Sequence, residues 1–395
     1  MIRTRFYSLF FVVALSLWPF SGDREKEIKP SSMEIPSQVD QFQVMRILLF
    51  KEKAGGVVIQ TDDPFMVLDR EGRVLLKGEN LAPTAVKTDL RGVQIGVQVF
   101  RNAPIFFQSL GEGVHIENKS YRDTLAFWPD PPDKLTVVNH LDMSDYLKGV
   151  LPFEIDPKWK METLKAQAVA SRTFALFRAL ENQYERYDVT AGVMSQVYAG
   201  KVVEHPSTDQ AVEATRGEIL TFQGKIFPAF FHSTCGGATT AAHDVWPIES
   251  HPALQSVRCD VCRASKHFYW KSDFSLSEIE KKLNEKGYSV SGVFNFAPVD
   301  YDSSGRGRFF VIEYSGGKLK IKSDEFRLMM DPSKFRSTLI KSWDIREGHL
   351  YLEGQGWGHG VGMCQYGAKR LGELGYTYLQ ILDYYYPRAD ITVVW

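Results

Sequence analysis

The sequence predicts an α+β protein in which many short strands surround one buried helix. Three observations carry this: strand-like segments recur between turn signals through the first part of the chain, an unbroken helical pattern runs from Met161 to Glu181, and the composition is that of a soluble globular protein, with 44% hydrophobic and 24% charged residues. At 395 residues the chain is long enough to enclose a sizeable core. Lys plus Arg (47) nearly balance Asp plus Glu (48), and no long run carries a single sign, so no polyanion-binding surface is expected and nucleic acid is not a partner.

At the N-terminus, Arg3 and Arg5 precede an apolar run from Phe6 to Phe20 that only Ser8, Ser16 and Pro19 interrupt, and a polar, charged stretch follows. Residues 1–22 thus have the layout of an export signal. The 15-residue run is short of the roughly 20 residues that span a bilayer, and no Ala-x-Ala site is evident, so a cleaved signal and a retained anchor both stay open. Either places the folded part in the cell envelope, with the membrane touched only through this segment. Residues 23–41, rich in Lys, Glu, Pro and Ser, read as a flexible spacer. Residues 42–138 form a strand-rich region, with segments at Met45–Phe50, Gly56–Thr61, Met66–Leu68, Val74–Leu76, Gly92–Phe100, Ile105–Phe107 and Leu135–Val138.

The helix Met161–Glu181 carries Leu164, Ala168, Ala175 and Ala179 along one face, with Val169, Leu176 and Leu180 beside them. Being apolar almost all round, it should be largely buried. Its Lys165, Gln167, Ser171 and Arg172 must then find partners, either as structural anchors or as walls of a site. Further strands are expected at Gly217–Phe222, Ile226–Phe231, Phe309–Tyr314, Leu319–Ile321 and His349–Leu352, and helices at Leu276–Lys286, Cys364–Leu374 and Tyr378–Tyr385. Residues 139–395 read as one catalytic domain with a peripheral lobe at about 275–345.

Glu154 stands between Phe153 and Ile155, near Trp159 and ahead of the helix that Pro157 introduces. Partial desolvation there would raise its pKa into the range of a general acid. The alternative is a helix-entry Glu favoured by the helix dipole. A second constellation, His232-x-x-Cys235 and Cys259-x-x-Cys262, suits a tetrahedral structural zinc site built from His232, Cys235, Cys259 and Cys262. The competing reading is a Cys259–Cys262 disulfide in an oxidising compartment. The Gly354–Met363 run lacks a preceding strand with dinucleotide spacing and the Lys-Ser/Thr ending of a phosphate loop, and His359 within it could simply bind one backbone group of a tight turn. Cys364 reads as a packed small residue.

Several blocks in order resemble the SpoIID/LytB family. They are Tyr146-Leu-Lys-Gly-Val-Leu-Pro-Phe-Glu154, Leu164-Lys-Ala-Gln-Ala-Val-Ala-Ser-Arg-Thr-Phe-Ala175, Ser195-Gln-Val-Tyr-Ala-Gly200, Ala211-Val-Glu-Ala-Thr-Arg-Gly217, Phe231-His-Ser-Thr-Cys-Gly-Gly237 and Gly356-Trp-Gly-His-Gly-Val-Gly-Met-Cys-Gln-Tyr-Gly-Ala368. The resemblance implies an exported peptidoglycan-remodelling protein. In the SpoIID branch it implies a lytic transglycosylase that cleaves glycan strands between N-acetylmuramic acid and N-acetylglucosamine, with Glu154 as catalytic acid and base and no cofactor needed for the chemistry. It also implies that Lys165, Arg172, Gln196, Tyr198, His359 and Gln365 line the substrate. Where some relatives carry Cys in the segment equivalent to Asp188–Gly200, this chain has Thr190 and Ser195, so a metal held there is not expected.

The LytB branch implies a different reading, a non-catalytic enhancer that binds the wall and modulates an N-acetylmuramoyl-L-alanine amidase. A metal-dependent amidase would need an open coordination position, which a Cys-rich set does not leave.

Overall fold

The computed structural model describes residues 28–192 and 197–395. The expected export segment and Gln196 lie outside them. Among the described residues no helix is long and apolar enough to cross a membrane. The fold is mixed α+β and strand-rich, as the sequence predicts.

The first part of the chain forms two sheets. Seven strands lie in the order Val189–Thr190, Val44–Ala54, Lys134–Asp142, Thr124–Asp130, Ile105–Ser109, Phe65–Leu68 and Val74–Gly78; six more run from Lys119–Tyr121 through Val57–Thr61 and Leu81–Asp89 to Gln98–Phe100. The expected Gly92–Phe100 strand is a hairpin, Gly92–Ile95 and Gln98–Phe100, because Gly96 turns the chain at φ 58°. The Leu81–Asp89 strand escapes sequence reading because it is mostly exposed and contains Pro83, so it shows no apolar alternation. The supposed spacer is docked from Lys29 onward: Lys29 N–H donates to Pro247 O, and Met33–Glu34 adds an edge strand to Lys225–Ile226. An open sheet edge offers unpaired backbone groups that a short extended segment can satisfy.

Helices α1 (Met143–Lys148) and α2 (Leu151–Glu154) lead into α3 (Met161–Glu181). Asp142 caps α1 by accepting from Ser144 N–H. Helix α3 lies between two cores. Ala168, Ala175, Leu176 and Ala179 pack into the sheet core, whereas Ala166, Val169, Ala170 and Phe174 pack into a second core with Trp246, Cys235, Cys259, Cys262 and Cys364. Helix α4 (Pro206–Ala214) and the strand Glu218–Phe222 cover it from one side.

The short helix α5 (Ala242–Val245) precedes the cysteine-rich turns. A third core then belongs to a lobe built from the sheet Tyr269–Ser275, His349–Gln355 and Ile340–Arg346, a second three-stranded sheet, α6 (Leu276–Glu285) and α7 (Ser323–Met329). Helices α8 (Gln365–Glu373) and α9 (Tyr378–Tyr385) return the chain to α3. The expected Ile226–Phe231 strand is interrupted: Pro228 lacks a ladder donor, and Phe231–His232 pairs instead, in parallel, with Met363–Cys364.

Arg172 is an anchor of this fold. It is fully buried and donates to Val212 O and Glu218 O at 3.0 and 3.1 Å and to Thr215 Oγ1 at 3.4 Å. Replacing it in Arg172→Met removes three buried hydrogen bonds, two of them to backbone carbonyls, so a loss of roughly 2–5 kcal/mol is expected in urea unfolding, and an unchanged midpoint would contradict this role.

Candidate active site and cysteine cluster

Glu154 ends the one-turn helix α2, well before the N-terminus of α3, so no long helix dipole stabilises its anion. Its side chain is 5% exposed. Burial pushes its pKa from 4.5 up to about 8, and a hydrogen bond from the Gln365 amide opposes this only in part. No neighbouring carboxylate is among the causes of the shift. Carboxyl oxygen Oε1 has no hydrogen-bond partner among the described residues.

The support of Glu154 is a buried polar chain. Gln365 Nε2 donates to Gln167 Oε1 at 3.4 Å, and Gln167 Nε2 donates to Ser171 Oγ at 3.1 Å, one turn further along α3. Two helices distant in sequence, α3 and α8, therefore meet at the carboxyl group. Thr163 Oγ1, donating to Ala368 O at 3.2 Å, fixes the same pair of elements, and Glu162, accepting from Tyr378 N–H at 2.8 Å, ties α3 to the start of α9.

Tyr366, the residue after Gln365, belongs to a row of aromatic rings. Trp159 and Tyr366 meet edge to face at 5.3 Å; His267 contacts Tyr366 at 5.4 Å and Trp357 at 4.5 Å. Lys369 lies over Trp159 and Tyr366, and Arg336 over Trp357. Trp159, Trp357 and Tyr366 are half-buried, so their faces are partly open to solvent. Trp357 and Tyr366 sit within the Gly-rich block, where their exposure beside Gln365 was the available signal.

Of the residues expected to line the substrate, Gln365 alone among the described ones touches Glu154. The others that the structure describes have partners of their own. Arg172 is the buried anchor described above. Tyr198 is buried and donates to Asn139 Oδ1 at 2.9 Å, inside the sheet core. His359 is buried with both ring nitrogens used: Nε2 donates to Phe231 O at 2.9 Å and Nδ1 accepts from Val361 N–H at 3.1 Å. It is the turn histidine of a loop whose Gly358, Gly360 and Gly362 all have positive φ, at 113°, 87° and 68°. Lys165 pairs with Glu162 at 3.1 Å and lies over the Tyr378 ring. Asp156 accepts from Lys158 N–H, a local turn contact.

The cysteines gather differently from what the spacing predicts. The sulfurs of Cys235, Cys259, Cys262 and Cys364 all lie within 4.8 Å of one another, all are buried, and none is in a disulfide. Cys364, read as a packing residue, takes the place expected for His232. The chain from Phe231 to Cys235 is largely extended, which separates side chains three residues apart by roughly 10 Å and turns them to opposite faces. His232 Nδ1 instead donates to Val361 O at 3.0 Å.

Residues 132–222 match the family described as Stage II sporulation protein (SpoIID), and residues 260–362 match a domain of unknown function (DUF8618). The chain is 34% identical over 296 residues to an uncharacterised protein of Brachyspira hyodysenteriae, covering 75% of this chain and 78% of that protein. It is 30% identical to the stage II sporulation protein D of Bacillus amyloliquefaciens, covering 65% of this chain and 75% of that protein. It is 27% identical to the amidase enhancer of Bacillus subtilis, over 62% of this chain but only 40% of that longer protein. The buried carboxyl group and its setting thus sit in a chain that belongs to the SpoIID family.

Between about pH 4.5 and 8 the folded protein keeps a Glu154 proton that the unfolded chain has released, so stability contributed at acid pH is lost as pH rises through that window. Glu154→Gln removes the effect. Unfolding curves are expected to diverge with rising pH, the variant gaining roughly 3–5 kcal/mol on the parent across the span, and parallel curves would rule out the raised pKa.

Proposed function

We propose that the protein remodels peptidoglycan in the cell envelope, as a lytic transglycosylase that cleaves the bond between N-acetylmuramic acid and N-acetylglucosamine. The observation that carries this reading is the setting of Glu154: a buried carboxyl group, its pKa pushed up to about 8 by burial, with one oxygen unpartnered among the described residues. An ordinary glycosidase needs a second carboxylate to activate water or to form a covalent intermediate. None perturbs Glu154. An intramolecular nucleophile removes that need.

In this mechanism Glu154 gives its proton to the glycosidic oxygen as the bond to the anomeric carbon breaks. The resulting carboxylate takes the proton of the muramic acid 6-hydroxyl as that oxygen closes on the anomeric carbon. A 1,6-anhydro end forms, Glu154 is again protonated, and no water is consumed. The Gln365 amide stabilises the transient carboxylate, which limits the rise in pKa to a value where both proton transfers proceed. The row Trp159, Tyr366 and Trp357 offers flat apolar faces for sugar rings, and Lys369 and Arg336 beside it can meet stem-peptide carboxylates.

A second reading rests on the similarity to the amidase enhancer of Bacillus subtilis: a wall-bound protein that modulates an N-acetylmuramoyl-L-alanine amidase without cleaving glycan. Incubation of intact and amidase-stripped peptidoglycan with the protein, followed by mass spectrometry, separates the two. The transglycosylase reading expects 1,6-anhydro ends, lowered at least about 100-fold in Glu154→Gln. Trp159→Ala should raise KM roughly tenfold with a smaller change in kcat. Absence of any product, with an added amidase accelerated equally by parent and Glu154→Gln, would establish the enhancer instead.

A further inference from the structure

We infer that Cys235, Cys259, Cys262 and Cys364 bind one zinc ion, which ties three separate stretches of chain together and fixes the loop that delivers Gln365. The sulfur positions match a single ion. Zinc holds thiolates at roughly 2.3 Å, which places tetrahedral sulfurs about 3.8 Å apart; here every pair lies within 4.8 Å, and Cys235 and Cys262 are 3.4 Å apart. A four-iron cluster must fit an iron–sulfide cube between its thiolates and needs a wider set.

The surroundings are built for anionic sulfur. Cys364 Sγ accepts from the backbone N–H groups of Cys235 at 3.3 Å and Gly367 at 3.4 Å, and the Tyr385 hydroxyl lies 3.2 Å from Cys259 Sγ. Such donors are the outer shell that orients metal-bound thiolates. The Arg306 guanidinium, contributed by the peripheral lobe and fully buried, donates to Cys235 O and, at 2.9 Å, to Ala238 O. An isolated buried cation is strongly disfavoured unless an anion accompanies it. Four thiols that give up their protons to solvent and bind a divalent ion form a net anionic centre next to it. Position 367 is glycine because a Cβ there would stand 1.9 Å from Tyr385 Oη and 2.9 Å from Cys259 Sγ.

The coordination set is closed, so the ion is structural. Its effect reaches the candidate active site through the chain itself. Cys364 is the N-cap of α8, and the next residue is Gln365, the hydrogen-bond partner of Glu154.

The test reads metal without substrate, so it is independent of whether glycan is cleaved. The purified full chain should contain about one zinc by inductively coupled plasma mass spectrometry, released by a mercurial thiol reagent. Cys364→Ser and Cys259→Ser should each weaken zinc retention against a chelator at least about tenfold, whereas His232→Gln retains it. The cobalt-substituted parent gives a second readout that does not depend on the folding of the serine variants: intense visible bands and sulfur-to-cobalt charge transfer mark a tetrahedral thiolate site. Chelation should also speed hydrogen exchange in the Cys364–Gly367 segment. Iron in place of zinc, a Cys235–Cys262 disulfide without metal, zinc lost in His232→Gln but kept in Cys364→Ser, or exchange unchanged by chelation would each overturn the inference.

Discussion

Enclosure of helix α3 on nearly every side is the constraint from which the rest of the half that carries Glu154 follows. A helix in that position cannot hand its polar side chains to water, and an unpaired buried polar group costs about 1–3 kcal/mol. Each polar residue on α3 therefore recruits a particular neighbour. Arg172 collects the end of α4 and the strand after it, Thr173 Oγ1 accepts from Leu220 N–H, and Thr163 reaches Ala368 on α8. The hydrophobic surfaces supply most of the stability, while these polar contacts determine which elements meet and in what register.

Gln167 and Gln365 extend the same principle from architecture to chemistry. Their hydrogen bonds place a carboxyl group where burial is nearly complete, yet Glu154 is left with one oxygen unpartnered among the described residues. The site therefore holds Glu154 in its neutral form at a stability cost that the surrounding cores bear. Destabilisation of this kind is expected where a residue is kept ready to exchange a proton with a ligand. The aromatic row Trp159, Tyr366 and Trp357 has the opposite character: it is partly exposed.

The peripheral lobe has its own core, separate from those that enclose α3. One buried tether is polar. Arg306 reaches from the lobe to Cys235 O and Ala238 O, within the turns that carry the cysteine cluster. A buried guanidinium can serve as a tether only where several acceptors converge, and the tight Cys235–Ala238 turn presents two carbonyls to it.

Much of the architecture was legible in the residues themselves. The bounds of α3 and α9 and the position of Glu154 between apolar neighbours follow from short-range pattern, because helical periodicity and local desolvation are properties of consecutive residues. Strands without alternation, such as Leu81–Asp89, were not legible, since their pairing depends on partners elsewhere in the chain. Side-chain roles divided along the same line. His232 and Cys235 look like paired ligands by spacing, but the extended backbone turns His232 toward Val361 and brings in Cys364 from more than a hundred residues away. Arg172, Tyr198 and His359 carry functional-looking chemistry in the sequence and prove to be satisfied within the fold. Sequence alone determines which groups need a partner; only the tertiary structure decides which partner each one finds, because burial and distance are set by the whole chain at once.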